Sequence, residues 1–386
     1  MQINDKKSIT VLGSTGSVGT QALDVARLLH LKVNAVSCAD NIKLAEEQIR
    51  EFKPDICAVV NEKAARELSI AVADTNTRVI SGEESVCEAA SYEKSDLVIN
   101  AVTGIAGLKP SLAVINAGKT LALANKETIV TAGELVMKEA KEKNVTVIPV
   151  DSEHSAVFQC LSAGKRSDVE NIILTASGGP FFGMTREHLS EITPEIALNH
   201  PTWKMGAKIS IDSATLMNKG FEVMEAIHLF GISQDSVKVI IHRESIIHSL
   251  VEYKDKSMIA LLSCPDMRLC VQYAVTYPER APSLLNSLNL AEVGKLTFAE
   301  PDTENFALLS LAYRAAKDSG NSGAILNGAN EVAVGKFLDN KISFTGITDV
   351  VTEAYESVQK KEISDYNDVF EADMASREAV RQIIGR

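Results

Sequence analysis

An apolar run, Ser8 to Leu12, leads straight into Gly13-Ser14-Thr15-Gly16-Ser17-Val18-Gly19, and an amphipathic helical pattern continues from about Thr20 to Leu29. Strand, glycine-rich turn and helix at the head of a chain leave few folds open. Glycines let a backbone approach a pyrophosphate, and a helix N-terminus offers N–H groups and partial positive charge to it. The spacing is G-x-x-G-x-x-G rather than G-x-G-x-x-G, so a plain tight turn is the competing reading. The further strand–helix units behind it favour the dinucleotide site. Val33–Ser37, Ile56–Val60, Leu97–Val102, Thr120–Ala124 and Val145–Val150 are apolar runs of strand length, separated by helical patterns such as Ala64–Leu68 and Gly133–Lys143. Such alternation predicts an α/β fold with a mostly parallel, doubly wound sheet.

In such sheets ligands collect beyond the carboxyl ends of the strands. Three of those ends carry polar sets. After the second strand stands Cys38-Ala39-Asp40-Asn41. A carboxylate there suits the free 2′-hydroxyl of NAD, and Asp40 otherwise caps the helix that begins near Ile42. After the run at Thr120 comes Ala124-Asn125-Lys126-Glu127, where Lys126 either faces the ligand crevice or is an ordinary surface lysine. After Pro149 comes Val150-Asp151-Ser152-Glu153-His154. Two carboxylates one residue apart can hold a hard divalent cation through oxygen. They also suit a helix N-terminus, the commoner use of such residues.

Beyond Leu161 the texture changes. Asn171–Ala176 reads as a strand ending in Ser177-Gly178-Gly179-Pro180. A long mixed segment comes next, with a short helix at Thr185–Ser190 and then His200-Pro201-Thr202-Trp203-Lys204-Met205-Gly206. Residues 178–207 form either a lid that excludes water or an irregular packed connection around the single tryptophan. In the next stretch Asn218 and Glu222 are four apart and share a helical face, with Glu225 near it. Ser213, Asn218 and Lys219 offer the hydroxyl, amide and ammonium that suit a phosphate, or a polar face in water. Val237–Ile241, Ile246–Tyr253 and Met258–Leu262 suggest a second, smaller sheet able to carry a dimer contact. His242 and His248 read as structural. From about Glu300 four helical patterns, Glu304–Asp318, Gly323–Leu338, Ile347–Gln359 and Met374–Ile384, predict a helical bundle.

Composition narrows the function. A chain of 386 residues, 45% hydrophobic and 23% charged, accommodates two or three domains with substantial cores. A net charge of −12 argues against nucleic acid. Six scattered cysteines with no C-x-x-C fit reduced thiols. The polar start, Met1–Lys7, and the lack of any apolar run near ~18 residues lead to the expectation of a cytoplasmic protein that touches no membrane.

Taken together, GSTGSVG (13–19), LANKE (123–127), PVDSEH (149–154), SGGPF (177–181), HPTWKMG (200–206), DSATLMNKG (212–220) with Glu222, IIHSLV (246–251), PDMR (265–268) and NGANEVAV (327–334) resemble the 1-deoxy-D-xylulose 5-phosphate reductoisomerases of non-mevalonate isoprenoid biosynthesis. The resemblance implies an N-terminal Rossmann-like dinucleotide domain (1–150), a central α/β catalytic and dimerisation domain (151–299) and a C-terminal helical domain (300–386), in a homodimer. It implies that Asp151, Glu153 and Glu222 bind Mg or Mn and that Lys126 joins them in catalysis. Ser152 and Lys126 would contact the oxygenated end of a sugar phosphate, and Glu153 and Glu222 would bind substrate as well as metal. Ser177, His200, Ser213, Asn218 and Lys219 would hold its phosphate, and Trp203 and Met205 would cover it. Thr15, Gly16, Ser17, Val18, Ala39, Asn41, Asn125, Glu127 and Gly206 would contact the dinucleotide. NADPH is the family's cofactor. Asp40 stands where the family has a basic or small polar residue, which makes NADH the alternative. A metal-free semialdehyde dehydrogenase opens with a similar turn but needs a nucleophilic cysteine, and none of the six lies in a catalytic setting. A non-catalytic dinucleotide sensor would be expected to lose the acidic ligands, and all three are present.

Overall fold

The computed structural model describes residues 7–199, 203 and 205–385, which form two compact units. Unit 1 comprises Met1–Thr128, Val136–Ser155 and Asp266–Asn286, and unit 2 comprises Ile129–Leu135, Ala156–Pro265 and Ser287–Arg386.

Among the described residues, unit 1 holds a seven-stranded sheet: β1 (Ser8–Leu12), β2 (Lys32–Cys38), β3 (Ile56–Val59), β4 (Arg78–Ser81), β5 (Leu97–Asn100), β6 (Thr120–Leu123) and β7 (Val147–Pro149). The order is β4-β3-β2-β1-β5-β6-β7 and every pairing is parallel. Chain order reverses between β1 and β5, which is the switch point where a doubly wound sheet opens its ligand crevice. The central strands are apolar and fully buried, as parallel strands with helices on both faces must be. Only β4, one of the two edge strands and not revealed by sequence periodicity, is half-exposed. The helix Met267–Thr276 returns late in the chain to pack on the helix Ser17–Leu28.

Unit 2 holds a second sheet of β8 (Val169–Ala176), β9 (Val237–Ile241), β10 (Ile247–Tyr253) and β11 (Met258–Leu262), in the order β11-β10-β8-β9. β10 runs antiparallel to both neighbours, and β9 runs parallel to β8. Its C-terminal part consists of the helices Leu308–Asp318, Ser322–Leu338, Phe344–Ser357 and Tyr366–Ile384. The second of these packs on the other three. It is buried on every side along most of its length, which is the mark of a central helix. No helix among the described residues is long and apolar enough to cross a membrane.

Candidate active site

The glycine-rich turn is built tightly into unit 1. Gly13 has φ +72°, and a Cβ there would lie 2.7 Å from the carbonyl oxygen of Ala101, just past β5. Only glycine lets the turn lie so close to the neighbouring strand end. The Gly13 N–H donates to Ser37 Oγ at 2.9 Å, and Ser14 N donates to Ser37 O at 2.8 Å. Gln48 completes the clamp, accepting from Ser14 Oγ at 2.7 Å and donating to Ser14 O at 2.9 Å. The helix begins at Ser17, three residues earlier than its apolar period suggests, with Gly16 as N-cap and no side-chain cap. Gly16 and Ser17 are exposed, and Thr15 and Val18 are half-buried. An uncapped helix start leaves N–H groups for an anion.

At the end of β2 the competing reading of Asp40 as a helix cap does not hold. Asn41 caps the helix Ile42–Phe52, its Oδ1 accepting from Leu44 N at 3.3 Å. Asp40 stays exposed beside exposed Ala39. Asparagine and aspartate cap equally well, so the residue nearer the first turn takes the role.

β6 and β7 pair in parallel with Leu123 opposite Pro149, and Val150 N donates to Leu123 O at 2.9 Å as the last rung. Register therefore brings Lys126 and Asp151, three and two residues further on, to one edge of the sheet. The Lys126 ammonium is ion-paired with the Asp151 carboxylate, and the two residues are 7% and 9% exposed. Carboxylate oxygens of Asp151 and Glu153 lie within 4.8 Å of each other, and the Ser152 hydroxyl donates to Glu153. The Asp151 carbonyl accepts from Ser155 N at 2.8 Å, so the backbone of Asp151 also starts the helix Ser152–Cys160. The helix thus opens at the same residues that carry the carboxylate pair. The local field is negative: burial, and then the charges of Asp151 and Glu153, push the Cys270 thiol up to about 12. Asn125 caps the helix Lys126–Glu142 and donates to Val102 O and Gly104 O at 2.7 and 2.9 Å. Its amide also reaches Glu127 at 3.2 Å.

Unit 2 builds a different cluster. β8 ends in the turn Ser177-Gly178-Gly179, with Ser177 Oγ accepting from Gly179 N at 3.2 Å. Gly179 has φ +66°, and a Cβ there would lie 2.8 Å from Ser213 O. Arg243, which sequence patterns do not single out, donates to Ser177 O and Gly179 O at 2.9 and 2.6 Å. Gly206, exposed, is the N-cap of the helix Ala207–Ala214, which carries Ser213. Leu216, in the left-handed conformation at φ 61°, then joins it to the helix Met217–Phe230. Asn218 and Lys219 stand in the first turn of that helix. Asn218 Nδ2 donates to Glu222 Oε1 at 2.5 Å, and the Lys219 ammonium pairs with Glu222 Oε2. Glu222 and Lys219 are 1% and 3% exposed.

Half-buried Trp203 meets the His248 ring edge-on at 6.4 Å between centroids. His248 shares a 2.7 Å hydrogen bond with Ser263 Oγ. Burial lowers its imidazole to about 4, helped by the charges of His242 and Lys219. Met205 is half-buried. His200 lies outside the described residues. Ser37, Gln48 and Arg243 are the scaffold residues that the sequence alone does not reveal. Each acts on backbone groups far away in the chain, and no local pattern announces that.

Family models match along most of the chain. One for 1-deoxy-D-xylulose 5-phosphate reductoisomerase matches residues 9–133, one for its C-terminal domain residues 147–230, and another for the DXP reductoisomerase C-terminal domain residues 262–379. The reductoisomerase of Caldanaerobacter subterraneus subsp. tengcongensis is 49% identical over 377 residues, spanning 97% of this chain and 98% of its own. That of Clostridium botulinum strain Loch Maree is 48% identical over 376 residues, spanning 96% and 98%. The solved Zymomonas mobilis reductoisomerase in complex with NADPH superposes with a TM-score of 0.92 at 38% identity, covering 98% of this chain and 99% of that one. A DOX-P reductoisomerase in complex with NADPH, fosmidomycin and magnesium gives 0.92 at 37% identity, covering 98% of each. With this fold and these relatives, the chain belongs to the 1-deoxy-D-xylulose 5-phosphate reductoisomerase family.

Proposed function

We propose that this chain rearranges the carbon skeleton of 1-deoxy-D-xylulose 5-phosphate and reduces the product with NADPH to 2-C-methyl-D-erythritol 4-phosphate. Similarity to reductoisomerases along nearly the whole chain carries this reading. NADPH and magnesium, named in the solved relatives, are the cofactors proposed here, with Mn as a substitute for Mg.

Asp151, Glu153 and Glu222 are proposed to hold the cation. The donor set fits a hard ion, being carboxylate oxygen throughout. Each neighbourhood already attracts a positive charge, Lys126 at Asp151 and Lys219 at Glu222. When bound, the cation polarises substrate oxygens and stabilises developing negative charge. Lys126, Asp151, Glu153 and Glu222 form the catalytic group. Lys126 keeps a donor near oxygens that gain charge, and Ser152 reaches the oxygenated end of the substrate.

Ser177, His200, Ser213, Asn218 and Lys219 are assigned to the phosphate. An ammonium carries three donors, so Lys219 can serve Glu222 and a phosphate oxygen together. Trp203 and Met205 belong to the cover over the substrate, which excludes water when closed. The phosphate is remote from the bonds that change, so its binding energy can position the substrate and close that cover.

The dinucleotide lies on the turn Thr15, Gly16, Ser17 and Val18, with Ala39 and Asn41 at the ribose end and Asn125, Glu127 and Gly206 as further contacts. NADPH supplies a hydride to the aldehyde that rearrangement creates. The assembly proposed is a homodimer in the cytoplasm. β11 supports the homodimer: it is a sheet edge carrying exposed Met258, Ile259 and Leu262, a surface that a second copy would cover.

The test is oxidation of NADPH and of NADH with 1-deoxy-D-xylulose 5-phosphate, with and without Mg or Mn. Metal-dependent turnover with the lower KM for NADPH is expected. Turnover that persists in excess chelator would overturn the reading.

A further inference from the structure

The helix Ala207–Ala214 carries in its last turn a carboxylate, Asp212, that the helix itself disfavours. A negative charge at a helix C-terminus opposes the dipole, and Asp212 is 2% exposed, so burial adds to the cost. Lys208 and Asn330 help to compensate. Lys208 Nζ reaches Asp212 Oδ2 at 2.9 Å, and Asn330 Nδ2 donates to Oδ1 at 2.7 Å. A carboxylate only accepts, so the orientation of the Asn330 amide is set by chemistry. Asn330 lies in the middle of the buried helix Ser322–Leu338. Its own Oδ1 has no hydrogen-bond partner among the described residues. An apolar side chain would sit in that interior at lower cost, unless the bond to Asp212 matters.

Asp212 immediately precedes Ser213, whose carbonyl faces Gly179 of the Ser177–Gly179 turn. Four residues after Asp212 the left-handed joint at Leu216 leads to Asn218 and Lys219. Fixing Asp212 therefore fixes the whole corner.

We propose that Asn330 is a positioning residue for substrate phosphate, acting through Asp212 to hold Ser213, Asn218 and Lys219 in register with the Ser177–Gly179 turn. The inference rests on the phosphate reading of that corner. Lys208 neutralises the Asp212 carboxylate, so the brace adds no repulsive charge beside a phosphate. The C-terminal helices thus take part in substrate recognition without touching substrate.

The test uses the full chain with NADPH and Mg, varying each substrate in turn, with inorganic phosphate as a competitive probe. Asn330→Ala should raise the sugar-phosphate KM and the phosphate Ki about tenfold, with the NADPH KM within about twofold and kcat within about threefold. The exchange Asp212→Asn with Asn330→Asp remakes the bond with donor and acceptor reversed, and should bring the sugar-phosphate KM back to within about threefold of the parent. If Asn330→Ala does not fold, Asp212→Asn alone supplies the weakened state against which the exchange is read. An unchanged sugar-phosphate KM, an equal rise for both substrates, or an exchange no better than the single variant would each overturn the brace. Ser213→Ala separates the two ideas. If it raises the phosphate Ki and Asn330→Ala does not, the brace alone fails. If both leave the Ki unchanged, the phosphate reading fails with it.

Discussion

The acids proposed to share a cation stand on unlike scaffolds. Asp151 and Glu153 come after a three-residue strand and lie where a helix is just beginning. Glu222 lies inside a fourteen-residue helix, with Asn218 and Lys219 one turn before it on the same face. The first pair owes its place to strand register: Leu123 opposite Pro149 decides that Lys126 meets Asp151. The second owes its place to helical spacing, which holds wherever the helix goes. A strand-end group depends on contacts distant in sequence, and a helix group carries its partners with it. Damage to the two should therefore look different.

The largest effect is expected at the acids themselves. Glu222→Gln should lower kcat by about a thousandfold or more while NADPH still binds, read by fluorescence titration. Asp151→Asn should cost a similar amount. The double variant should lose little more than either single one if the acids work as one unit, whereas multiplied losses would separate the two scaffolds functionally.

Next comes a pH effect confined to unit 2. His248 is lowered from its ordinary 6.5 to about 4, so between those values the unfolded chain binds a proton that the folded chain refuses. Stability should be complete above pH 6.5 and fall as pH drops toward 4, by up to about 3 kcal/mol from this residue. Urea unfolding of the parent and of His248→Gln across pH 4.5–7.5 reads the difference. Equal slopes for the two proteins would show that the imidazole is not desolvated as described.

A smaller effect is expected at the helix corner. Ser213→Ala should raise the sugar-phosphate KM about tenfold with little change in the NADPH KM. The smallest is at the end of β2. Asp40→Asn should lower the NADPH KM about threefold and leave the NADH KM nearly unchanged, because an exposed charge acts through water. Added salt should shrink that difference. If NADH is the better cofactor of the parent chain, Asp40 governs the ribose end.

Much of the fold is legible in the chain, for identifiable reasons. Alternating apolar runs predict the parallel sheet, and β9, β10 and β11 stand where the second sheet is expected. Helix starts are harder. Those at Ser17, Lys126 and Ser152 begin earlier than periodicity suggests, because their first turns carry polar residues in place of an apolar stripe. The functional strings occupy those same turns, so the periodic signal is weakest where the chemistry is. β4 escapes notice as a short, half-exposed edge. Asp40 and Asn41 compete for one cap, and propensity does not separate them. Arg243 and Asn330 are out of reach for another reason. Each bonds to residues 64 or more positions away, and nothing nearby in the sequence marks the partner.

The two buried lysines have a consequence for how the enzyme would live with a scarce ion. In a zinc finger the metal is the fold, and a chelator unfolds the chain. Here Asp151 and Glu222 each already have an ammonium beside them. If these acids hold the cation as proposed, loading it would displace an ammonium from Asp151 and another from Glu222. Folding would then not require the ion, and a chelator should stop turnover without unfolding the chain. Ion supply would act as a throttle on turnover while leaving the amount of folded enzyme untouched.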